Sequence, residues 1–443
     1  MRFLRDSLIT LLTLGANFVL GMAVSILTAR LLGPQGKGIL TLVFLLPALC
    51  VSLGSFGLGA ANVYLLRRGG LRLGTLMGNS FVVALTATIL ASVGVGAAWP
   101  WLGGRVMPGV APALAVLGML SLPMLLLTDY LLSILLGTER IVRYNAVSLS
   151  AKAFSLVALA FALVVLRTGV TGAIVASLLG SLAALLILLG ALRAARREDS
   201  SHIRADFAAL RRSLNYGLRE HLGNMAMFLS YRIDMFFVAA FAGASAVGIY
   251  SVAVMMAEVF FYLPNAVSTV LFPRLAGRGE KEGAKQSAQT ARVISAVVGM
   301  GALISIPLAA PVVRLAFSSA FLPAVPAFFA LLPGVYALSV SKILSRYFTA
   351  TLGRPLLNAR AQAISLAVNL PLNVLLIPKF GIVGAAAASS VAYIAHAVVT
   401  LLLFRHHSGL SVRAALVLRG EDLNWISAHC RQSRLGPLGA SHA

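Results

Sequence analysis

This sequence is short of acid: 13 Asp and Glu stand against 36 Lys and Arg in 443 residues, and charged residues of either sign make up only 11% of the chain. Soluble globular domains are about 25% charged, so that class is excluded. Cysteine is nearly missing too. Cys50 lies in an apolar run and Cys430 near the C-terminus, which excludes a disulfide framework. No residues stand at metal-ligand spacing. The short loops on the face poorer in Lys and Arg contain no Asp, Glu or His, so they lack the acids and bases that an integral-membrane enzyme needs at an aqueous surface.

What is abundant is hydrocarbon. Apolar residues make up 59% of the chain, and the mean hydropathy is +0.92. Twelve apolar runs of 18 or more residues follow one another, among them about 8–30, 39–66, 213–242 and 246–273 for spans one, two, seven and eight. Arg2 and Arg5 precede the first run, which is too long for a signal peptide and is followed by further spans, so an uncleaved first helix is expected. A net charge of +23 would suggest nucleic acid in a soluble protein. With the N-terminus in the cytoplasm, however, 25 of the 36 Lys and Arg fall inside and 6 outside: Arg30, Lys37, Arg105, Arg167, Arg314 and Lys379. That asymmetry is the positive-inside rule. The excess is matched by anionic lipid headgroups, and no nucleic acid is implied.

The chain also repeats itself. Gly169-Val-Thr-Gly-Ala-Ile-Val-Ala-Ser177, opening span six, returns as Gly381-Ile-Val-Gly-Ala-Ala-Ala-Ala-Ser389, opening span twelve. Residues 32–39, between spans one and two, are echoed by residues 242–249 between spans seven and eight. The expected architecture is therefore all-α: twelve transmembrane helices in two six-helix lobes related by a pseudo-two-fold axis along the membrane normal. The lobes would be residues 1–192 and 213–404, joined by a basic cytoplasmic linker, 193–212, and followed by a basic tail, 405–443.

Span seven is the most polar of the twelve, carrying Arg219, Glu220, His221, Arg232 and Asp234. Charges at membrane depth are costly and are kept where they face a bundle interior or water. Tyr231 and Asn224 fall within about 40° of Glu220 on the helical wheel, opposite an apolar arc about 100° wide. Span one carries a stripe of Thr10, Thr13, Asn17, Gly21 and Thr28, and span two a stripe of Ser52, Ser55, Gly59 and Asn62. Span eight carries Ser251, Met255, Glu258, Tyr262, Asn265 and Thr269. Such stripes either line a cleft or glue helices together. Lys152, Lys342 and Arg360 stand near span ends, where long side chains snorkel to the headgroups.

At these residues the chain resembles the multidrug/oligosaccharidyl-lipid/polysaccharide (MOP) exporter superfamily, and within it the Wzx-type polysaccharide and O-antigen flippases. The matching pieces are residues 29–38 (ARLLGPQGKG), 57–64 (GLGAANVY), Arg232-Ile-Asp234, residues 247–253 (VGIYSVA), Glu258 and Phe272-Pro-Arg274. The resemblance implies a MATE-like pair of lobes with a central cavity lined by helices one, two, seven and eight. It also implies alternating-access transfer of a polyprenyl-pyrophosphate-linked oligosaccharide across the bacterial inner membrane. On that reading Arg219, about 9 Å above the cytoplasmic end of span seven, and Arg232 grip pyrophosphate. Asn62, Asn224, Tyr262 and Asn265 then bind sugar hydroxyls. Glu258 and Asp234 pair with the arginines or take up a coupling proton or sodium; no other cofactor and no metal is expected. Expected partners are the lipid-linked oligosaccharide, membrane lipids and polysaccharide assembly machinery. The rival reading is a cation-coupled exporter of drugs or metabolites on the same fold.

Overall fold

The computed structural model describes residues 2–68, 70–199 and 202–422, apart from the side chains of residues 2–8, 11, 197–199, 219, 220 and 273. Within that range the chain is helical, with no strand. The helices are α1 (Arg2–Gly54), α2 (Leu58–Arg67), α3 (Leu73–Trp101), α4 (Pro112–Met119), α5 (Ser121–Gly137), α6 (Ile141–Ala160) and α7 (Gly169–Asp199). They continue as α8 (Phe207–Glu258), α9 (Tyr262–Ala276), α10 (Glu280–Ala316), α11 (Ala324–Arg346), α12 (Leu356–Ser408) and α13 (Val412–Leu416). Helix is what Leu-, Ala- and Val-rich runs must form in lipid, because it satisfies every backbone N–H and C=O internally.

Nine helical segments among the described residues are long and apolar enough to cross a membrane. Their outward faces are hydrocarbon: Leu85, Leu90 and Val93 of α3 are 62%, 65% and 66% exposed, a surface that water would penalise and acyl chains accept.

α1, α8 and α12 are not straight rods. Each contains one glycine with positive φ: Gly33 (φ 65°), Gly243 (φ 81°) and Gly381 (φ 56°). Lys37 Nζ donates to Ser25 Oγ at 2.8 Å, although twelve residues along a straight helix are about 18 Å apart. Tyr250 Oη donates to Asp234 Oδ2 at 2.6 Å across sixteen residues, which a straight helix would separate by about 24 Å. A Cβ on Gly384 would stand 2.3 Å from the carbonyl oxygen of Leu376, about 12 Å away in a continuous helix. The three helices therefore reverse at their glycines, where the sequence places turns between spans. Lys37 is consumed in the first reversal: it is buried and bonded to Ser25 and Thr28.

The repeat is written in the same backbone. Gly33 (φ 65°, ψ −176°) and its echo Gly243 (φ 81°, ψ 175°) adopt one conformation, in a region that is essentially glycine-only. The two hairpins also touch reciprocally. A Cβ on Gly38 would lie 1.7 Å from the carbonyl oxygen of Ala244, and one on Gly248 would lie 2.0 Å from that of Pro34. Gly38 corresponds to Gly248 in the repeat and Pro34 to Ala244, so each glycine packs on the equivalent carbonyl of the other copy. Reciprocity of this kind marks a local two-fold axis.

The chain divides into two compact units, Met1–Val254 with Ala309–Phe328 and Asn369–Ser389, and Met255–Leu308 with Phe329–Val368 and Ser390–Ala443. The first has a core in which Leu65, Leu76, Met77, Leu131 and Leu188 interlock. In the second, Leu275, Ile294, Ile343, Tyr347, Phe348 and Phe404 do so.

Within the second unit the start of the tail is pinned to α10. The buried Arg292 guanidinium donates to both carboxylate oxygens of Asp422 at 2.7 Å and also to the carbonyl of Ala414 in α13. Asp422→Ala would strand a buried guanidinium, a loss of about 3–5 kcal/mol, and should unprotect the α13 amides in hydrogen exchange. The Arg292 bonds hold the Asp422 carboxyl below its ordinary value of 3.8. The contact therefore contributes fully above that value and is lost as pH falls through the depressed one. Protection of α13 should be level through neutral and mildly acid pH and fall only below about 3.8.

Candidate functional site

The second unit holds a polar face in an otherwise apolar setting. α8 ends at Glu258, a single 3₁₀ turn spans Val259–Phe261, and α9 begins at Tyr262. Tyr262 and Asn265 are three residues apart and share a side of α9; both are exposed, and Glu258 is half-buried. α11 brings Lys342 and Arg346, four residues apart and hence on one face. Lys342 Nζ donates to Asn265 Oδ1 at 3.3 Å and lies 4.0 Å above the Phe261 ring. Arg346 Nε donates to Ser268 Oγ, and its guanidinium stands 5.9 Å from the Phe272 ring. Glu258 lies within electrostatic reach of both Lys342 and Tyr262.

Among the described residues, two cations against one carboxylate leave this face with a net positive charge. Like charges one helical turn apart repel, and the repulsion grows where water is scarce. An anion relieves it. The surrounding amide, hydroxyls and aromatic rings suit a ligand that is hydroxyl-rich beyond its charge, while aromatic faces stabilise the cations when no ligand is present.

Three of the residues picked from sequence, Glu258, Tyr262 and Asn265, thus stand on one face. Lys342 and Arg346 join them, although position alone had assigned Lys342 to headgroup snorkelling. The signal available was their four-residue spacing, which sets two cations side by side in an apolar helix.

The remaining candidates lie in the first unit. Asp234 is 2% exposed. It accepts from Tyr250 Oη at 2.6 Å, from Ser389 Oγ at 3.1 Å and from the Met235 amide at 2.8 Å, so it knits α8 to the returning limb of its hairpin and to α12. Arg232 is half-buried and its charge acts on Asp234. Asn224 is exposed on α8. The Arg219 side chain lies outside the described residues.

Asn62 corrects the expectation of a sugar contact. It is fully buried, and its amide donates to Ser80 Oγ at 3.1 Å and to the Tyr130 carbonyl at 3.4 Å. Short α2 lies against α3 and α5 there, and the amide joins helices. The span-one stripe behaves likewise. Asn145 of α6 donates to Thr10 at 3.0 Å, Asn17 donates to Ser148 at 3.2 Å, and Lys152 reaches α1 at Gly21. A polar α1–α6 seam, with each hydrogen bond contributing about 0.5–2 kcal/mol in lipid, accounts for it.

Comparison with known proteins agrees with this architecture. The family model for polysaccharide biosynthesis proteins matches residues 27–326. The probable low-salt glycan biosynthesis flippase Agl15 of Haloferax volcanii is 27% identical over 228 residues, 50% of this chain and 46% of that protein. An uncharacterized membrane protein of Methanocaldococcus jannaschii, MJ1068, is 27% identical over 189 residues, 42% of this chain and 37% of that one. This chain thus spans less than half the length of the curated relatives it matches. A structure of the lipid II flippase MurJ in an inward closed conformation superposes with a TM-score of 0.72 at 16% identity, covering 98% of this chain and 93% of that one. An inward-facing multidrug resistance MATE family transporter of the MOP superfamily superposes with a TM-score of 0.67 at 16% identity, covering 89% and 94%. The chain thus shares the fold of these flippase and transporter structures, and this multi-pass membrane chain belongs to the polysaccharide biosynthesis protein family.

Proposed function

We propose that the protein is a flippase that carries a polyprenyl-pyrophosphate-linked oligosaccharide across the inner (cytoplasmic) membrane by alternating access, with both termini in the cytoplasm. The observation that carries this reading is the net-positive face of α9 and α11. A guanidinium holds two phosphate oxygens in a fork, and an ammonium supplies a point charge beside it. Lys342 and Arg346 play these parts, while Asn265 and Tyr262 meet the first sugar. Arg219 and Arg232 of α8 are further cationic stations. With no headgroup bound, Glu258 balances part of the charge. An arriving pyrophosphate competes with it, so Glu258 sets how readily the headgroup lets go; it and Asp234 are also the acids that would take up a coupling proton or sodium. The isoprenoid chain stays in the bilayer, against exposed apolar faces such as that of α3.

The two six-helix lobes, residues 1–192 and 213–404, are the moving parts in this scheme. Glycan assembly proteins that consume the flipped lipid are its expected neighbours.

The test reconstitutes the protein into vesicles containing one of three glycolipids of the same sugar, linked through pyrophosphate, through monophosphate or without charge. The pyrophosphate lipid should reach the opposite leaflet fastest and the uncharged one no faster than in empty vesicles. Proton-driven efflux of a hydrophobic dye with no lipid transfer would put the exporter reading in its place.

A further inference from the structure

A second cationic place lies in the first unit, built from residues other than those of the α9–α11 face. We infer that the cleft between the α1 turn and the end of α10 binds a phosphate-type anion, on the side that the Lys and Arg asymmetry assigns to the outside.

The cleft is a shallow, open one of about 560 Å³, lined by Arg30, Leu31, Arg314, Ser318 and Ser319. Its construction starts at α10, whose last carbonyls have no partner within the helix. Arg30 Nε donates to the Ala316 carbonyl at 2.8 Å and its Nη2 to the Leu315 carbonyl. That edge-on grip fixes the guanidinium plane at the helix end, beside the cleft that Arg30 lines. Arg314, in the last turn of α10, brings a second exposed guanidinium. Ser318, with φ 112°, breaks the helix and starts a 3₁₀ turn over Ser319–Phe321. Phe317 and Phe321 are fully buried on either side of the two serines, so the turn is anchored from within and its hydroxyls remain at the cleft.

Among the described residues, two guanidiniums, two hydroxyls and no carboxylate make a lining suited to phosphate oxygens and hostile to cations. The alternative is that both arginines merely offset the negative end of the α10 dipole. Arg30 does that already through two direct bonds, and a second cation beside it adds repulsion. The placement is also against the trend: 6 of 36 Lys and Arg fall outside, one of the six, Lys37, is spent within its hairpin, and two of the others meet here. On the proposed function, on which only the source of the anion rests, this is where a pyrophosphate headgroup is held after crossing. An ordinary anionic phospholipid offers the same chemistry.

The test titrates inorganic pyrophosphate into the full-length protein in nanodiscs of zwitterionic lipid, on the Lys342→Gln, Arg346→Gln background so that the α9–α11 face does not contribute. Saturable binding is expected, weakening with added salt, and reduced about tenfold or more by Arg314→Gln through loss of a charge-assisted contact. Arg314 is exposed, so this variant keeps the fold; Arg30→Lys, which keeps the charge and loses the fork, should fall between. Discs containing phosphatidylglycerol identify the source: if that lipid displaces pyrophosphate, the resident ligand is a bulk-lipid phosphodiester, and if it does not, the ligand is the pyrophosphate of the carrier. Absence of saturable binding, or equal binding by Arg314→Gln, overturns the inference. The titration needs no transport, so a negative flipping result would sink the proposed function and leave this one standing.

Discussion

Gly38→Ala and Gly248→Ala are expected to destabilise the protein by similar amounts, about 1–3 kcal/mol each, the usual range for forcing a methyl group into a packed contact. The new carbon would lie 1.7 Å from the Ala244 carbonyl oxygen in one case and 2.0 Å from that of Pro34 in the other. Backbone cannot rotate away as a flexible side chain can, so the two hairpins must separate. Equality of the two losses is the informative part, because it follows only if the contacts are copies of one another. Gly15→Ala and Gly94→Ala, helical positions with nothing within 4 Å of the added carbon, should be neutral or stabilising by up to about 1 kcal/mol. Thermal melting in detergent, followed by the monodisperse fraction, reads all four. A large loss at one of the paired glycines and none at the other would break the two-fold account of this crossing.

The second large effect is expected from Lys342→Gln and Arg346→Gln. Each change removes a charge and leaves a side chain of useful length in place. Hydrogen bonds to charged groups are worth about 1.5–3 kcal/mol, so each variant should weaken headgroup binding about tenfold to a hundredfold, and the pair should abolish lipid transfer. Both residues are themselves half-buried, and their substitution relieves a like-charge repulsion that offsets the lost contacts to Asn265 and Ser268, so melting temperature should hold. Loss of transfer with a lowered melting temperature would instead mark the pair as structural.

How much of this could be read from residues alone divides along a physical line. The turn at Gly33 and its echo at Gly243 were legible, because only glycine serves that backbone and its spacing survives in the chain. The span-eight stripe was legible as well: Glu258, Tyr262 and Asn265 recur at helical intervals along a largely apolar run. Periodicity shows which side of a helix is polar and is silent on what that side meets. Asn62 shared a stripe with Ser52, Ser55 and Gly59, and only tertiary packing reveals Ser80 and Tyr130 waiting for its amide. The same blindness concealed α6 behind Asn17. Conversely, Lys342 and Arg346 show in the sequence only as two cations four residues apart. Their meaning arises from Asn265 and Ser268 on a neighbouring helix about 77 residues earlier in sequence.

The most direct measurement uses a pyrophosphate-linked glycolipid bearing a photoreactive group on its first sugar. After illumination in proteoliposomes and digestion, the label should map to α9 and α11 around Asn265, Lys342 and Arg346. An excess of unmodified lipid should suppress it, and Lys342→Gln with Arg346→Gln should remove it. Label confined to the lipid-facing side of α3, around Leu85, Leu90 and Val93, and indifferent to competitor, would contradict the account.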